Sequence, residues 1–120
     1  MHRNDENTVV RELRESVRQF LNERDWKKYH NPKDLAESVC IEASELLQIF
    51  QWIKAEESQQ FKKDPSKVQR IEEELADVII YCLSMANTLN LDLTKAVLTK
   101  IEQNKKKYPT DRYKGKDHLN

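Results

Sequence analysis

A chain of 120 residues with 21 basic and 21 acidic side chains can bury one modest core, and its zero formal net charge offers no basic field for nonspecific nucleic-acid binding. One glycine and three prolines leave few turns, so long helices are expected to dominate. The longest apolar stretch, 78–86, is interrupted by Ser84, and the first residues lack the apolar core of a secretory signal. A cytoplasmic protein with neither a membrane nor a nucleic-acid partner is expected.

The first predicted helix runs from about Glu6 to Arg24, with Val9, Val10, Leu13, Val17, Phe20 and Leu21 on one side. Residues 25–33 break that pattern, and Asn31, restricted by Pro32, marks a helix boundary. The second helix follows to about Ile53, with an apolar arc of Leu35, Val39, Ala43, Leu46, Ile49, Phe50 and Ile53. Residues 54–67 are polar, contain Pro65 and lack a coherent apolar stripe, so they read as a connection. The third helix spans roughly Ser66 to Leu89 with Ser66 as its N-cap, and its arc is Ile71, Leu75, Val78, Ile79, Cys82 and Met85. The chain turns at 90–92, and a fourth helix carries Leu93, Ala96, Val97 and Ile101 toward Lys107, with Pro109 ending it. Residues 110–120 read as a polar, frayed tail. Cys40 and Cys82 have no metal-ligand spacing and are expected as reduced thiols near the core.

Four acids fall where these helices should bury apolar surface. Glu42 projects inside the second helix's arc with Glu45 at its edge, and Glu74 and Asp77 repeat the arrangement on the third. Glu72 and Glu73 point away and read as surface charge. A single Glu beside an apolar stripe is usually solvated; two pairs in matching register on neighbouring helices are not so easily explained. A short connection makes those helices antiparallel neighbours and brings the pairs face to face. Four converging carboxylates raise one another's pKa unless a cation is present. Hard divalent cations take oxygen ligands, so Mg²⁺, with Mn²⁺ as a possible substitute, is the expected cofactor. A di-iron bundle site is the rival, but it wants a His three residues after a Glu, where this chain has Glu45 and Asp77.

Glu42, Glu45, Glu74 and Asp77 resemble the metal-binding signature of the all-α nucleoside triphosphate pyrophosphohydrolases, the MazG-like superfamily. The blocks ERDWKKYHNPKDL, EASELLQIFQW, EEELADVIIYCL and KIEQNKKKYP resemble its dCTP pyrophosphatase branch over roughly Phe20 to Pro109. The resemblance implies an all-α, four-helix domain of antiparallel helices over residues 1–109, assembled into an oligomeric bundle, followed by the tail 110–120. It implies Mg²⁺-dependent cleavage of a (deoxy)nucleoside triphosphate such as dCTP to the monophosphate and pyrophosphate, in nucleotide-pool clearance, with the four acids as metal ligands and catalytic groups. Trp26, His30 and Trp52 match its base pocket, with Phe20 and Tyr81 close by in the pattern, and Lys100, Asn104, Lys107 and Tyr108 match its triphosphate-binding block. The branch tends to carry a His three residues before the phenylalanine aligned with Phe20, where this chain has Val17. A related dUTP or phosphoribosyl-ATP pyrophosphohydrolase, or a non-enzymatic helical interaction module, is the alternative.

Trp26 and Trp52 can share one cavity only if the loop after the first helix folds back or if a neighbouring subunit supplies the first. The subunit route is expected. Apolar area on the first helix and on the outer side of the third, Ile80 and Leu83 included, predicts self-association, a homotetramer before a dimer.

Overall fold

The computed structural model describes residues 2–115. Among them every regular element is helical: α1 (Val10–Glu23), α2 (Pro32–Gln48), α3 (Ala55–Ser58), α4 (Pro65–Thr88), α5 (Leu93–Lys107) and α6 (Thr110–Tyr113), with 3₁₀ turns at Lys27–Tyr29 and Gln59–Lys63. The four expected helices are thus joined by two four-residue ones. The chain forms two compact units that divide between Asn90 and Leu91.

Helix boundaries in the first unit follow side-chain chemistry. α1 begins at Val10 rather than Glu6 because Asn4 and Asn7 divert the backbone into a turn: the Asn4 N–H donates to Asn7 Oδ1 and the Glu6 N–H to Asn4 Oδ1. At its other end Asp25 adopts φ 55°, and the Trp26 N–H donates to Leu21 O at 2.9 Å, a left-handed cap that turns the chain back on itself. α2 starts where expected, with Asn31 Oδ1 accepting from the Asp34 N–H and Pro32 in the first turn. α4 does not use Ser66 as its cap. Asp64 fills that role, accepting from the Ser66 and Lys67 N–H groups, and Pro65 takes the first helical position, where a missing N–H does no harm.

α2 and α4 run antiparallel. His30, just before α2, reaches Ser84 and Thr88 near the end of α4, whereas Phe50, just beyond α2, shares a cavity wall with Val68 and Ile71 near its start. α1 lies against α4 and is clamped to it by Asn87, whose Oδ1 accepts from Arg14 Nε at 2.9 Å and Arg18 Nη2 at 3.1 Å while its Nδ2 donates to Arg14 O. The core is small: Val17, Leu21, Leu35, Phe61, Leu83 and Ala86. Leu83 is therefore inside, not on an outer face, because α1 packs on that side of α4. Cys40 is exposed and Cys82 half-buried, both as free thiols, so Cys40 is not the core residue expected. The polar connection hides one anchor: Phe61 is buried, stacks on Phe50 with centroids 5.5 Å apart, and receives the Lys67 ammonium on its ring.

In the second unit, Asp92 caps α5 by accepting from the Lys95 N–H, and the Tyr108 and Tyr113 rings meet edge-on at 5.1 Å. That contact orders 110–113 as a helical turn where a frayed tail was expected; residues 116–120 lie outside the described residues. No helix among the described residues is long and apolar enough to cross a membrane.

Candidate functional site

Three of the four acids expected to converge from α2 and α4 do so. One carboxylate oxygen from each of Glu42, Glu45 and Glu74 lies within 4.8 Å of the others. Two atoms of the trio, Glu42 Oε2 and Glu74 Oε2, are withdrawn from solvent without a hydrogen-bond partner among the described residues. Among the described residues, none of the ion pairs found involves the trio. The side-chain approach of Glu45, together with burial and the charges of Glu45, Asp77 and Glu74, pushes the Glu42 carboxyl up to about 7. Glu74 is also raised, chiefly by desolvation and then by Glu45 and Asp77, with Arg70 opposing weakly. Oxygen-only ligands with buried, unpartnered lone pairs fit a hard divalent cation. The cluster could hold a metal ion.

Asp77 stands outside the trio, exposed, one turn along α4 from Glu74. It lines a cavity of about 520 Å³ together with Val17, Phe20, Trp26, His30 and Tyr81. Asp77 is the one acid of the four on the cavity wall; Glu42, Glu45 and Glu74 do not line it. Its walls are mostly apolar and aromatic: Phe20 and Trp26 meet edge to face at 5.9 Å, and the Arg24 guanidinium sits 3.9 Å over Phe20. His30 and Tyr81 stack at 5.9 Å with planes 23° apart. Burial pushes the His30 imidazole below its ordinary value, and its Nδ1 lies 2.8 Å from Ser84 Oγ. Val17, almost fully buried, presents only methyl groups to this wall.

Five residues expected at the site, Phe20, Trp26, His30, Asp77 and Tyr81, thus share one cavity. Trp26 reaches it within its own chain, because the left-handed cap at Asp25 folds the loop back; no neighbouring subunit is required for that contact. Trp52 does not line it and is 87% exposed. Lys100, Asn104 and Lys107 stand on one face of α5 at helical spacing, and the Tyr108 N–H donates to Asn104 O at 2.8 Å. Ser84 was missed. In the sequence it only breaks an apolar run, yet that is the available signal, since a polar residue at a core position needs a partner.

The profile of the MazG-like family matches residues 38–118. The chain belongs to that family. Among curated relatives of this MazG-like chain, dCTP pyrophosphatase 1 of Bos taurus is 33% identical over 107 residues, 89% of this chain and 63% of the relative. The Homo sapiens protein of the same name is 34% identical over 101 residues, 84% and 59% respectively. The MazG-like chain therefore spans about three fifths of the length of the curated relatives it matches. A crystal structure of a pyrophosphatase from Archaeoglobus fulgidus superposes with a TM-score of 0.75 at 39% identity, covering 91% of this chain and 98% of that one.

Proposed function

We propose that the chain is a Mg²⁺-dependent nucleoside triphosphate pyrophosphohydrolase that splits a deoxynucleoside triphosphate such as dCTP into monophosphate and pyrophosphate. The observation that carries this is a trio of carboxylates with buried oxygens unpartnered among the described residues, its Glu74 one turn along α4 from Asp77 on the wall of an apolar aromatic cavity. The pyrophosphatase names of the curated relatives and of the solved structure support it.

Glu42, Glu45, Glu74 and Asp77 would hold the metal. Bound Mg²⁺, or Mn²⁺ in its place, supplies a Lewis acid for a phosphoryl oxygen and makes a held water more acidic. A carboxylate left free of ligation accepts the proton of the attacking water. Phe20, Trp26 and Tyr81 offer flat faces to the base and keep water from that end. Lys100 and Lys107, with the Asn104 amide, present charge and donors suited to phosphate oxygens, and Tyr108 ends the same helix. The products' monophosphate and pyrophosphate suit a role in clearing surplus or noncanonical nucleotides in the cytoplasm.

Exposed Ile41, Leu47 and Trp52 in the first unit, and Val97, Leu98 and Ile101 in the second, support a homotetramer, which light scattering at micromolar concentration tests; a stable monomer overturns it. Pyrophosphate release from a panel of nucleoside triphosphates, with the products read by phosphorus NMR, tests the activity. Orthophosphate and a nucleoside diphosphate as first products, or no turnover of any triphosphate, refutes it.

A further inference from the structure

Ser84 is the one polar side chain with a buried residue environment among the described residues, at 2% exposure. Its hydrogen bonding differs from that of Ser16 and Ser44, two other helical serines. Ser16 and Ser44 donate to the carbonyl four residues back, Glu12 O and Cys40 O, each at 3.0 Å. Ser84 instead sets its Oγ 2.8 Å from His30 Nδ1. A hydroxyl proton this deeply buried needs an acceptor. Burial lowers the imidazole's pKa and so favours the neutral ring, which has one lone pair and one N–H to offer. With the Ser84 proton directed at Nδ1, the lone pair is there and the ring proton is on Nε2.

The rest of His30 is held as firmly. Its N–H donates to Lys27 O at 3.0 Å, its carbonyl accepts from Thr88 Oγ1 at 3.1 Å, and its ring lies against Tyr81. Ser84 is not on the wall of the large cavity but in the cleft behind it, beside Arg18, Asn87 and Thr88. His30 is on both. The imidazole is therefore a partition, gripped from behind through Nδ1, whose remaining polar atom is the Nε2–H in a mostly apolar cavity.

We infer that Ser84 is a positioning residue that locks His30 in the Nε2–H tautomer, making it a fixed donor to a carbonyl oxygen or unprotonated ring nitrogen of a nucleobase. This rests on the nucleotide-hydrolysing function proposed above. Base choice then depends on a residue that never touches the base, because a tautomer free to switch would present a lone pair as readily as a proton.

The tautomer is read on the protein alone, by long-range nitrogen–proton correlation NMR, with His30→Gln identifying the His30 signals. The expected spectrum has the proton on Nε2 in the wild type and a tautomer mixture in Ser84→Ala. Ser84→Ala should raise KM for the best nucleotide roughly tenfold, as loss of one hydrogen bond does, with kcat and Mg²⁺ dependence little changed. His30→Gln places an amide N–H near the Nε2 position, so adding Ser84→Ala to it should have no further effect on KM. A proton on Nδ1 in the wild type, an unchanged KM in Ser84→Ala, or an equal loss in the His30→Gln background overturns the inference while leaving the pyrophosphohydrolase intact. If the wild type turns over no triphosphate, that function falls, and the inference is decided by the tautomer and by Trp26 fluorescence with dCTP. Quenching lost in Ser84→Ala upholds it; equal quenching, or none in the wild type, overturns it. Unchanged melting of Ser84→Ala excludes unfolding as the cause of any loss.

Discussion

Glu42 on α2 and Glu74 on α4 each bury one carboxylate oxygen that no donor among the described residues reaches. Natural interiors rarely leave charged acceptors in that condition, since an unpaired buried charge is strongly destabilising. Two such atoms on facing helices, each held close to Glu45, mark a place where the fold by itself is under electrostatic stress.

Relieving that stress should stabilise the metal-free protein and end its activity. Glu45→Gln is expected to abolish turnover and weaken the response of Tm to millimolar Mg²⁺. It should also raise Tm in chelator at pH 8, because about 1 kcal/mol of removed repulsion shifts a small domain's midpoint by roughly 4–8 °C. Thermal melts with and without Mg²⁺ measure both effects. A wild type indifferent to Mg²⁺ counts against a metal site here.

The same repulsion sets a pH dependence of definite sign. The Glu42 carboxyl is raised from 4.5 to about 7, so between those values the native state binds more protons than the unfolded chain. The contribution of Glu42 to stability therefore falls as pH rises through that window and is flat above it. Without metal, Tm of the wild type should drop from pH 5 to pH 8 more steeply than Tm of Glu42→Gln. Mg²⁺ should flatten the wild-type slope, because it favours the ionised carboxylates that protons compete for. Parallel profiles of wild type and variant in chelator would rule the linkage out.

Trp26 and Trp52 should separate by concentration. Trp26 lines its own chain's cavity, so Trp26→Ala should raise KM for the best nucleotide at every protein concentration, by the ~1–3 kcal/mol typical of base–aromatic stacking. Trp52 is exposed and outside that cavity, so as a base-pocket residue it would reach the bound base from a second copy of the chain. Trp52→Ala should therefore affect KM only where the wild type is assembled. Steady-state kinetics across the dissociation range of the oligomer distinguish the two, and matched behaviour would refute the division.

Asn87 ties α1 to α4 through both arginines. Asn87→Ala removes an acceptor from Arg14 and Arg18 and the donor to Arg14 O. Loss of about 1–3 kcal/mol in urea unfolding is expected. A change below about 0.5 kcal/mol would show that solvent replaces the clamp.

Much of this was legible in the residues themselves. The acid pairs announce the Glu42, Glu45 and Glu74 cluster, though not that Asp77 stands outside it, because helical periodicity places carboxylates within an apolar arc, and the Asn31-Pro32 boundary follows from local sterics. The less legible features depend on partners distant in sequence. Phe61 looks like an isolated aromatic in a polar connection until Phe50 is beside it. Ser84 looks like an interruption until His30 reaches it from 54 residues away. Ser66 and Asp64 were a local choice between two good caps, and the proline at 65 decides it by preferring the first helical position. Trp26 required the left-handed backbone at Asp25, a conformation that an aspartate tolerates but does not announce.

α4 carries Glu74, Asp77 and Tyr81 on one uninterrupted rod, and that makes it a caliper. At 1.5 Å per residue, Glu74 and Tyr81 are set about 10 Å apart along the axis and nearly in line after two turns. Adding or deleting one residue between them would swing the aromatic jaw about 100° away from the acidic one, and no side-chain adjustment could restore it. Length variation in this chain is therefore expected outside that interval, in segments such as 49–63, where a change of contour leaves the span between the jaws untouched.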